Sequence, residues 1–280
     1  MIITKIRLQE IPLPGALASW LLPVFDFNLD SSAGDNGYIL KNAFGLGPPD
    51  FISIVEGFTA TGVPIKVLEP EAREVVLRVG FRAMPGSSFN SLRESLYRII
   101  NKSIYVKLMN EALVIGQVTG TVQKFEVVHF SNQPEVQLTI LCDYPEFSGP
   151  MAIDIPVATL DTLTPTINYP DGTAPTGLNF QITFTATPAA PNFSMTDATE
   201  HVFTVAYALI NGDVLTVSTH RGSRKVTVLR SSVTYDVSGN VVAGAFWPRL
   251  YPGPNSFTWN APVAGTTINS ASYIPRYWGV

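Results

Sequence analysis

The sequence holds one cysteine, Cys142, in 280 residues, so no disulfide closes within a chain and no cysteine-rich metal site can form. Histidine is nearly as scarce. His129, His201 and His220 are scattered, with no pair at i, i+4 spacing and no third ligand nearby, which excludes a readable zinc site. Charge is thin at 14% of residues, against about 25% in an ordinary soluble domain. The net charge of −4 and pI near 5.4 provide no basic field for a phosphate backbone, so nucleic acid is not an expected partner. Long apolar runs are missing too: Ala16 to Phe25 is short and broken by Pro23, well under the roughly 18 residues of a spanning helix. Glu10, Pro12, Pro14 and Gly15 interrupt the place where the core of a secretory signal would lie. The amino terminus therefore reads as part of the mature fold, and no membrane insertion is expected.

Against this low charge stand 46% hydrophobic residues and a mean hydropathy of +0.20. Much of the surface must be covered by something other than water. With membranes set aside, a large subunit interface is the remaining explanation, because interface cores are poor in charge and rich in aromatics. The length suits two domains.

The periodicities are mainly those of strands. Val75, Leu77, Val79 and Phe81 alternate with Val76, Arg78 and Gly80, which predicts a half-buried strand. Phe89, Leu92, Leu96, Ile99 and Ile100 then recur at helical spacing behind Ser87 or Ser88, predicting one amphipathic helix over Ser88 to Asn101. Strands are expected at Ser103 to Met109, Leu113 to Val118, Thr121 to Phe130 and Val136 to Cys142, with a turn at Asn110-Glu111. Turn formers cluster over Asp143 to Pro150, which divides the chain into a sheet-dominated α+β domain over 1–147 and a second domain over 148–280. The second half shows no helical period and reads as a β-sandwich. Gly177 to Thr187 and His201 to Ile210 alternate there, and Asn211-Gly212 signals a type I′ hairpin turn.

Candidate chemistry is sparse. Asp26-Phe27-Asn28-Leu29-Asp30 opens like a calcium loop, but Ser31 and Gly37 stand where the loop needs glycine and a bidentate carboxylate. Gly45-Leu46-Gly47-Pro48-Pro49-Asp50 lacks the third glycine of a dinucleotide loop, and its prolines remove amide donors. There is no Gly-x-Ser-x-Gly elbow. Asp154, Asp161, Asp197 and Asp236 are dispersed, so an acid pair for glycoside hydrolysis is not readable. The cluster of His220, Arg221, Arg224 and Lys225 reads as a solvated hairpin tip, or functionally as an anion or glycan contact. Trp247, Tyr251 and Trp259 suit either a sugar-stacking platform or core and interface anchors. No catalysis, cofactor or metal is expected.

The order of these features resembles the distal tail proteins (Dit) of long-tailed bacteriophages. In the first half the resemblance rests on Gly37-Tyr38-Ile39-Leu40, Gly45 to Pro49, Arg73 to Phe81, and Leu92-Arg93 with Leu96-Tyr97. In the second half it rests on Gly212-Asp213-x-Leu215-x-Val217-x-Thr219, on Gly222 and Val226, on Leu250-x-Pro252-Gly253-x-Asn255, and on Tyr273 to Val280. The resemblance implies a virion protein made in the host cytoplasm, a homohexameric ring that joins the tail tube protein to the tip hub protein and receptor-binding parts. It implies a ring-forming first domain, with Arg73, Arg78 and Arg82 as candidate edge contacts. The second domain would be a galectin-like sandwich, and in some members the last strand returns to the first domain. The galectin patterns His-x-Asn-x-Arg and Trp-Gly-x-Glu are absent, the nearest segment being Trp259-Asn260. The alternative is a carbohydrate-binding module that meets host glycan through Trp247, Tyr251 and Trp259.

Overall fold

The computed structural model describes residues 3–12, 24–29, 36–58, 64–82, 86, 88–127, 135–160, 162–187, 192–259 and 266–279, with the backbone alone over 53–58 and 64–69. The fold is mainly β, as expected, in two compact units: Met1–Pro150 with Tyr277–Val280, and Met151–Arg276.

The first unit strings β1 (Lys5–Glu10), β2 (Val24–Asn28), β3 (Tyr38–Phe44), a hairpin of β4 (Phe51–Phe58) and β5 (Pro64–Pro70), β6 (Glu74–Phe81), α1 (Phe89–Tyr97), β7 (Ser103–Asn110), β8 (Leu113–Val127), β9 (Glu135–Cys142) and β10 (Phe147–Ser148). Seven of these strands close a ring. β8 pairs with β7, β7 with β1, β1 with β2, β2 with β3, β3 with β6, β6 with β9, and β9 again with β8. Closure removes the unpaired edges that an open sheet must protect. It depends on the length of β8, whose Ser103-facing half lies along β7 and whose Gly120–Val127 half lies along β9. The two strands expected on either side of residue 119 are therefore one strand of 15 residues. No turn former but glycine interrupts it, and Gly120 lies where a Cβ would sit 2.6 Å from the Leu141 carbonyl.

Alternation fills this ring. Ile6 and Leu8, Phe25 and Phe27, Val75, Leu77 and Val79, Ile104, Val106 and Leu108, and Val136, Leu138 and Ile140 are all buried in one core. The weakest seam is β2–β3, which is parallel and has a single register pair, Asn28 with Ile39. Tyr38 seals it. Its ring meets Phe25 and Phe27 edge-on at 5.8 and 5.7 Å, and its hydroxyl donates to the Leu92 carbonyl at 2.9 Å. The helix contributes Leu92 and Leu96 to the same core and is capped by Ser88, which accepts from the Ser91 amide. It ends sooner than the apolar period predicts. Beyond Tyr97 the amides of Arg98, Ile99 and Ile100 reach back three residues, and Asn101 at φ 58° stops the turn.

The second unit contains β11 (Ile153–Asp154), a four-residue helix α2 (Val157–Leu160), β12 (Thr166–Tyr169), β13 (Thr176–Phe184), β14 (Phe193–Asp197), β15 (Val202–Val205), β16 (Val214–Ser218), β17 (Lys225–Arg230), β18 (Val233–Asp236), β19 (Arg249–Leu250), β20 (Gly253–Trp259) and β21 (Thr266–Tyr273). One sheet runs β11-β21-β13-β16-β17-β18 with β19 on β13; the other runs β12-β20-β14-β15. Their inner faces meet through Phe180, which lies 5.6 Å from Phe193 and 6.1 Å from Trp259. This is a sandwich. Helix α2 and a 3₁₀ turn at Ser238–Asn240 are too short to register as a period.

The Asn211-Gly212 turn differs from expectation. Gly212 has φ +90° while Asn211 is not in the positive-φ region, and the Asp213 amide bonds the Ile210 carbonyl, so the turn is of type II form rather than I′. It joins no hairpin. β15 belongs to one sheet and β16 to the other, and the strand expected to reach Ile210 stops at Val205. The last strand, β22 (Arg276–Tyr277), adjoins β10 at the edge of the first unit's sheet.

Candidate functional site

The residues singled out from sequence do not converge on a reaction centre. Asp26 of the calcium-like run is bound across β1–β2 by Arg7 at 2.6 and 2.9 Å and by Lys5 at 3.4 Å. Burial raises its pKa, but these cations outweigh that and hold it below the usual carboxylate range. Asp30, Ser31, His129 and Asp161 lie outside the described residues. Asp197 accepts from the amides of Thr199 and His201 in a local turn, where His201 stacks on Phe246 at 4.5 Å. Cys142 is buried, and that burial pushes its thiol up to about 12, so no reactive thiolate forms near neutrality. Among the described residues no group of three His, Cys, Asp or Glu side chains is placed to hold a metal ion, and no helix is long and apolar enough to cross a membrane.

The aromatic candidates separate. Trp259 is 4% exposed, and its indole N–H donates to the Thr162 carbonyl at 2.7 Å, so it is a core residue and not part of a sugar platform. Trp247 is half-buried against Phe203 at 5.1 Å, with the Arg224 guanidinium 5.5 Å above its ring. Only Tyr251 is well exposed, and Asn255 closes its turn by bonding both the Tyr251 amide and carbonyl. The run Leu250 to Asn255 is thus a turn held by an asparagine side chain.

Of the three arginines expected at ring edges, Arg73 is not at a surface. It is 3% exposed and lies 4.4 Å over the Phe147 ring. Its guanidinium donates to the carbonyls of Pro145, Gly45, Gly47 and Trp278. Gly45 is required there: φ is +78°, and a Cβ would fall 1.9 Å from the Glu74 carbonyl oxygen. Arg73 therefore ties three separate segments of the first unit together, including the end of the chain. Arg78 and Arg82 are exposed. Arg78 donates to Gln137 at 3.3 Å and Gln137 donates to Glu126 at 3.2 Å, a polar row across β6, β9 and β8 on the outside of the barrel.

One pairing carried no sequence signal, and one residue sits differently from its expected place. Asp213, fully buried, receives Arg230 in a bidentate pair at 2.8 and 2.6 Å together with the Ile210 amide at 2.9 Å. Burial pushes this carboxyl up, but the Arg230 hydrogen bonds, the amide and the charge of Arg230 hold it below its ordinary range. The pair fixes the crossover between sheets; an Asp beside the turn and an Arg 17 residues on carry no sequence signal of their own. His220, expected at a solvated tip, is instead 5% exposed, and burial followed by the charge of Arg276 pulls its pKa to about 4. The chain approaches too closely for exposure: a Cβ at Gly177 would sit 2.5 Å from the His220 backbone.

The chain is a closed barrel with one small helix packed on its core and a β-sandwich, and among the described residues neither assembles a reactive centre. Residues 171–277, nearly all in the second unit, match the family model for the C-terminal domain of the siphovirus-type tail component. Among solved structures, the Dit protein of phage SPP1, described as a paradigm of the hub adsorption apparatus in phages infecting Gram-positive bacteria, aligns over 86% of this chain and 94% of its own. The identity is 12% and the TM-score 0.57. The phage P2 baseplate in its activated conformation aligns with calcium over 99% of this chain and with strontium over 98%, and over 98% of the other chain in both. Both have 6% identity and a TM-score of 0.47. No curated protein sequence matches.

Proposed function

We propose that this chain is a structural hub of a siphophage tail tip, assembled as a homohexameric ring at the distal end of the virion tail, between the tail tube protein above and the tip hub and receptor-binding proteins below. The match of residues 171–277 to a siphovirus-type tail component carries this reading. The fold shared with the SPP1 Dit protein, which extends over both units, supports it. The barrel is the ring-forming part and the sandwich a galectin-like outward part. The mechanism is assembly and not turnover: closure of the barrel leaves its outer polar face, with Arg78 and Arg82, for contacts with neighbouring copies. Ring contacts of this kind bury charge-poor surface on two sides of every protomer, consistent with the 14% charged composition.

Negative-stain electron microscopy and light scattering of the purified protein test the reading. Rings of six copies are the expected result, and a monodisperse monomer at high micromolar concentration would overturn it.

A further inference from the structure

The second unit segregates its charge. Residues 151–276 contain six lysines and arginines, and one of them, Arg230, is committed to Asp213. The other five stand at one end of the sandwich. Arg221, Arg224 and Lys225 are on the β16–β17 hairpin, Arg249 is on β19, and Arg276 follows β21. The fold itself brings these segments together. Gly177 at the start of β13 pairs with Arg249, the Thr219 hydroxyl donates to the Pro248 carbonyl at 2.7 Å, and Ala174 bridges to Arg276.

The electrostatics agree with the proximity. Burial, then the charges of Arg249 and Arg221, lower the Arg224 pKa, and Arg276 acts on His220 in the same sense. Like charges gathered this way cost stability, and no ion pair with a carboxylate joins Arg224 or Arg249 among the described residues. Lys225 pairs with Asp236 at 3.7 Å. At the base of the cluster His220 is buried with neither ring nitrogen hydrogen-bonded. A buried polar group without a partner is uncommon in a finished fold and is a reason to look for a ligand.

We propose that this end of the sandwich is a binding site for a phosphate-bearing polysaccharide. The planar fork of arginine matches phosphate oxygens two at a time, which lysine cannot do, and four of the five cations here are arginines. The exposed Tyr251, two residues beyond Arg249, supplies a flat apolar face beside those charges, and the half-buried Trp247 underlies Arg224. Such a face suits the sugar rings between phosphates, whereas a polymer that carries carboxylates alone would leave it unused. The site stands apart from ring formation, which the proposal does not need.

The test is binding of the full-length protein to phosphorylated dextran, measured by calorimetry alongside unmodified dextran and poly-glutamate. Phosphorylated dextran is expected to bind, with affinity falling as salt rises. The double substitution Arg224→Gln/Arg249→Gln is expected to weaken it at least about tenfold. Lys41→Gln/Lys124→Gln, the same charge change on the first unit, should leave it unchanged. Far-ultraviolet dichroism and the urea midpoint establish that each variant is folded, and electron microscopy of the same samples reports ring formation separately. Equal binding of poly-glutamate, equal binding of unmodified dextran, or an undiminished affinity in the arginine variant would each overturn the proposal.

Discussion

The two units hold a guanidinium in different ways, buried in the first and part-exposed in the second. In the barrel Arg73 is hydrogen-bonded to no carboxylate among the described residues: four carbonyls and the face of Phe147 surround it, and Glu146 acts on it through charge alone. In the sandwich Arg230 is held by the bidentate carboxylate of Asp213, one charge against another. Carbonyls are the currency of chain segments, so Arg73 gathers a glycine turn, the start of β10 and the chain terminus into one knot. A carboxylate is a point partner, so Arg230 fixes one crossover. The difference shows that an arginine can organise backbone or neutralise a buried acid.

Breaking the charged pair should cost most. Asp213→Ala leaves Arg230 without its partner and the buried Ile210 amide without its acceptor, and the second unit should lose more stability than the first does in any substitution below. Hydrogen exchange read separately over 214–230 and over 75–81 checks this: faster exchange in the first range alone is the expected pattern, and an unchanged second unit would show the pair to be dispensable. Breaking the carbonyl cage should follow closely. Arg73→Met keeps the volume but orphans four carbonyls, a loss of about 3 kcal/mol confined to the first unit, with Trp278 and the Gly45 turn loosening together. Arg73→Lys, with a single ammonium in place of a fork, should recover part of that loss.

Acid sharpens the contrast further. The folded-state pKa of Asp213 is depressed, so its contribution is fully present above the unfolded value near pH 4 and is lost as pH falls through the folded value. Urea midpoints of the second unit should therefore decline in acid below about pH 4, and the Asp213→Asn variant, weaker at neutrality, should decline less. The four carbonyls about Arg73 do not titrate and Glu146 acts on it through charge alone, so the cost of Arg73→Met should change less between pH 7 and acid than that of Asp213→Asn. A cost of Arg73→Met that vanished in acid would refute the distinction.

The comparison also marks what the sequence made legible. The strand at Val75 to Phe81 and the apolar face of the helix are visible because alternation and a 3.6-residue spacing are local properties of a one-sided burial. The helix end is not, since Ile99 and Ile100 remain apolar while the backbone has already tightened. Strand β8 reads as two although its burial alternates unbroken from Gly116 to Val122 and shifts only at the bulge beyond, because its continuation onto β9 is a tertiary pairing. Asn211-Gly212 suggested a hairpin on composition alone, but the partner strand on each side was a tertiary matter. The candidate site suffered most: Arg73 and His220 sit beside turn residues, which reads as exposure, and each is buried by segments distant in sequence.

The smallest expected effect tests the one element that the barrel has and the sandwich lacks, a capped helix of more than one turn. Ser88 accepts from the Ser91 amide at 3.2 Å, and the Ser91 hydroxyl accepts in return from the Ser88 amide at 3.0 Å, a reciprocal pair that satisfies two donors at the helix start. Ser88→Ala removes the first bond and leaves the second, so the loss should be about 1 kcal/mol, near the middle of the range for such caps. Because Leu92 and Leu96 depend on that helix to reach the barrel core, the loss should appear in exchange over 75–81 and 104–109 and leave 214–230 untouched. Ser88→Asp, which keeps an acceptor at the positive end of the helix, should restore the wild-type value or exceed it. Equal stability of Ser88→Ala and the parent would mean that packing of the two leucines alone holds the helix in place.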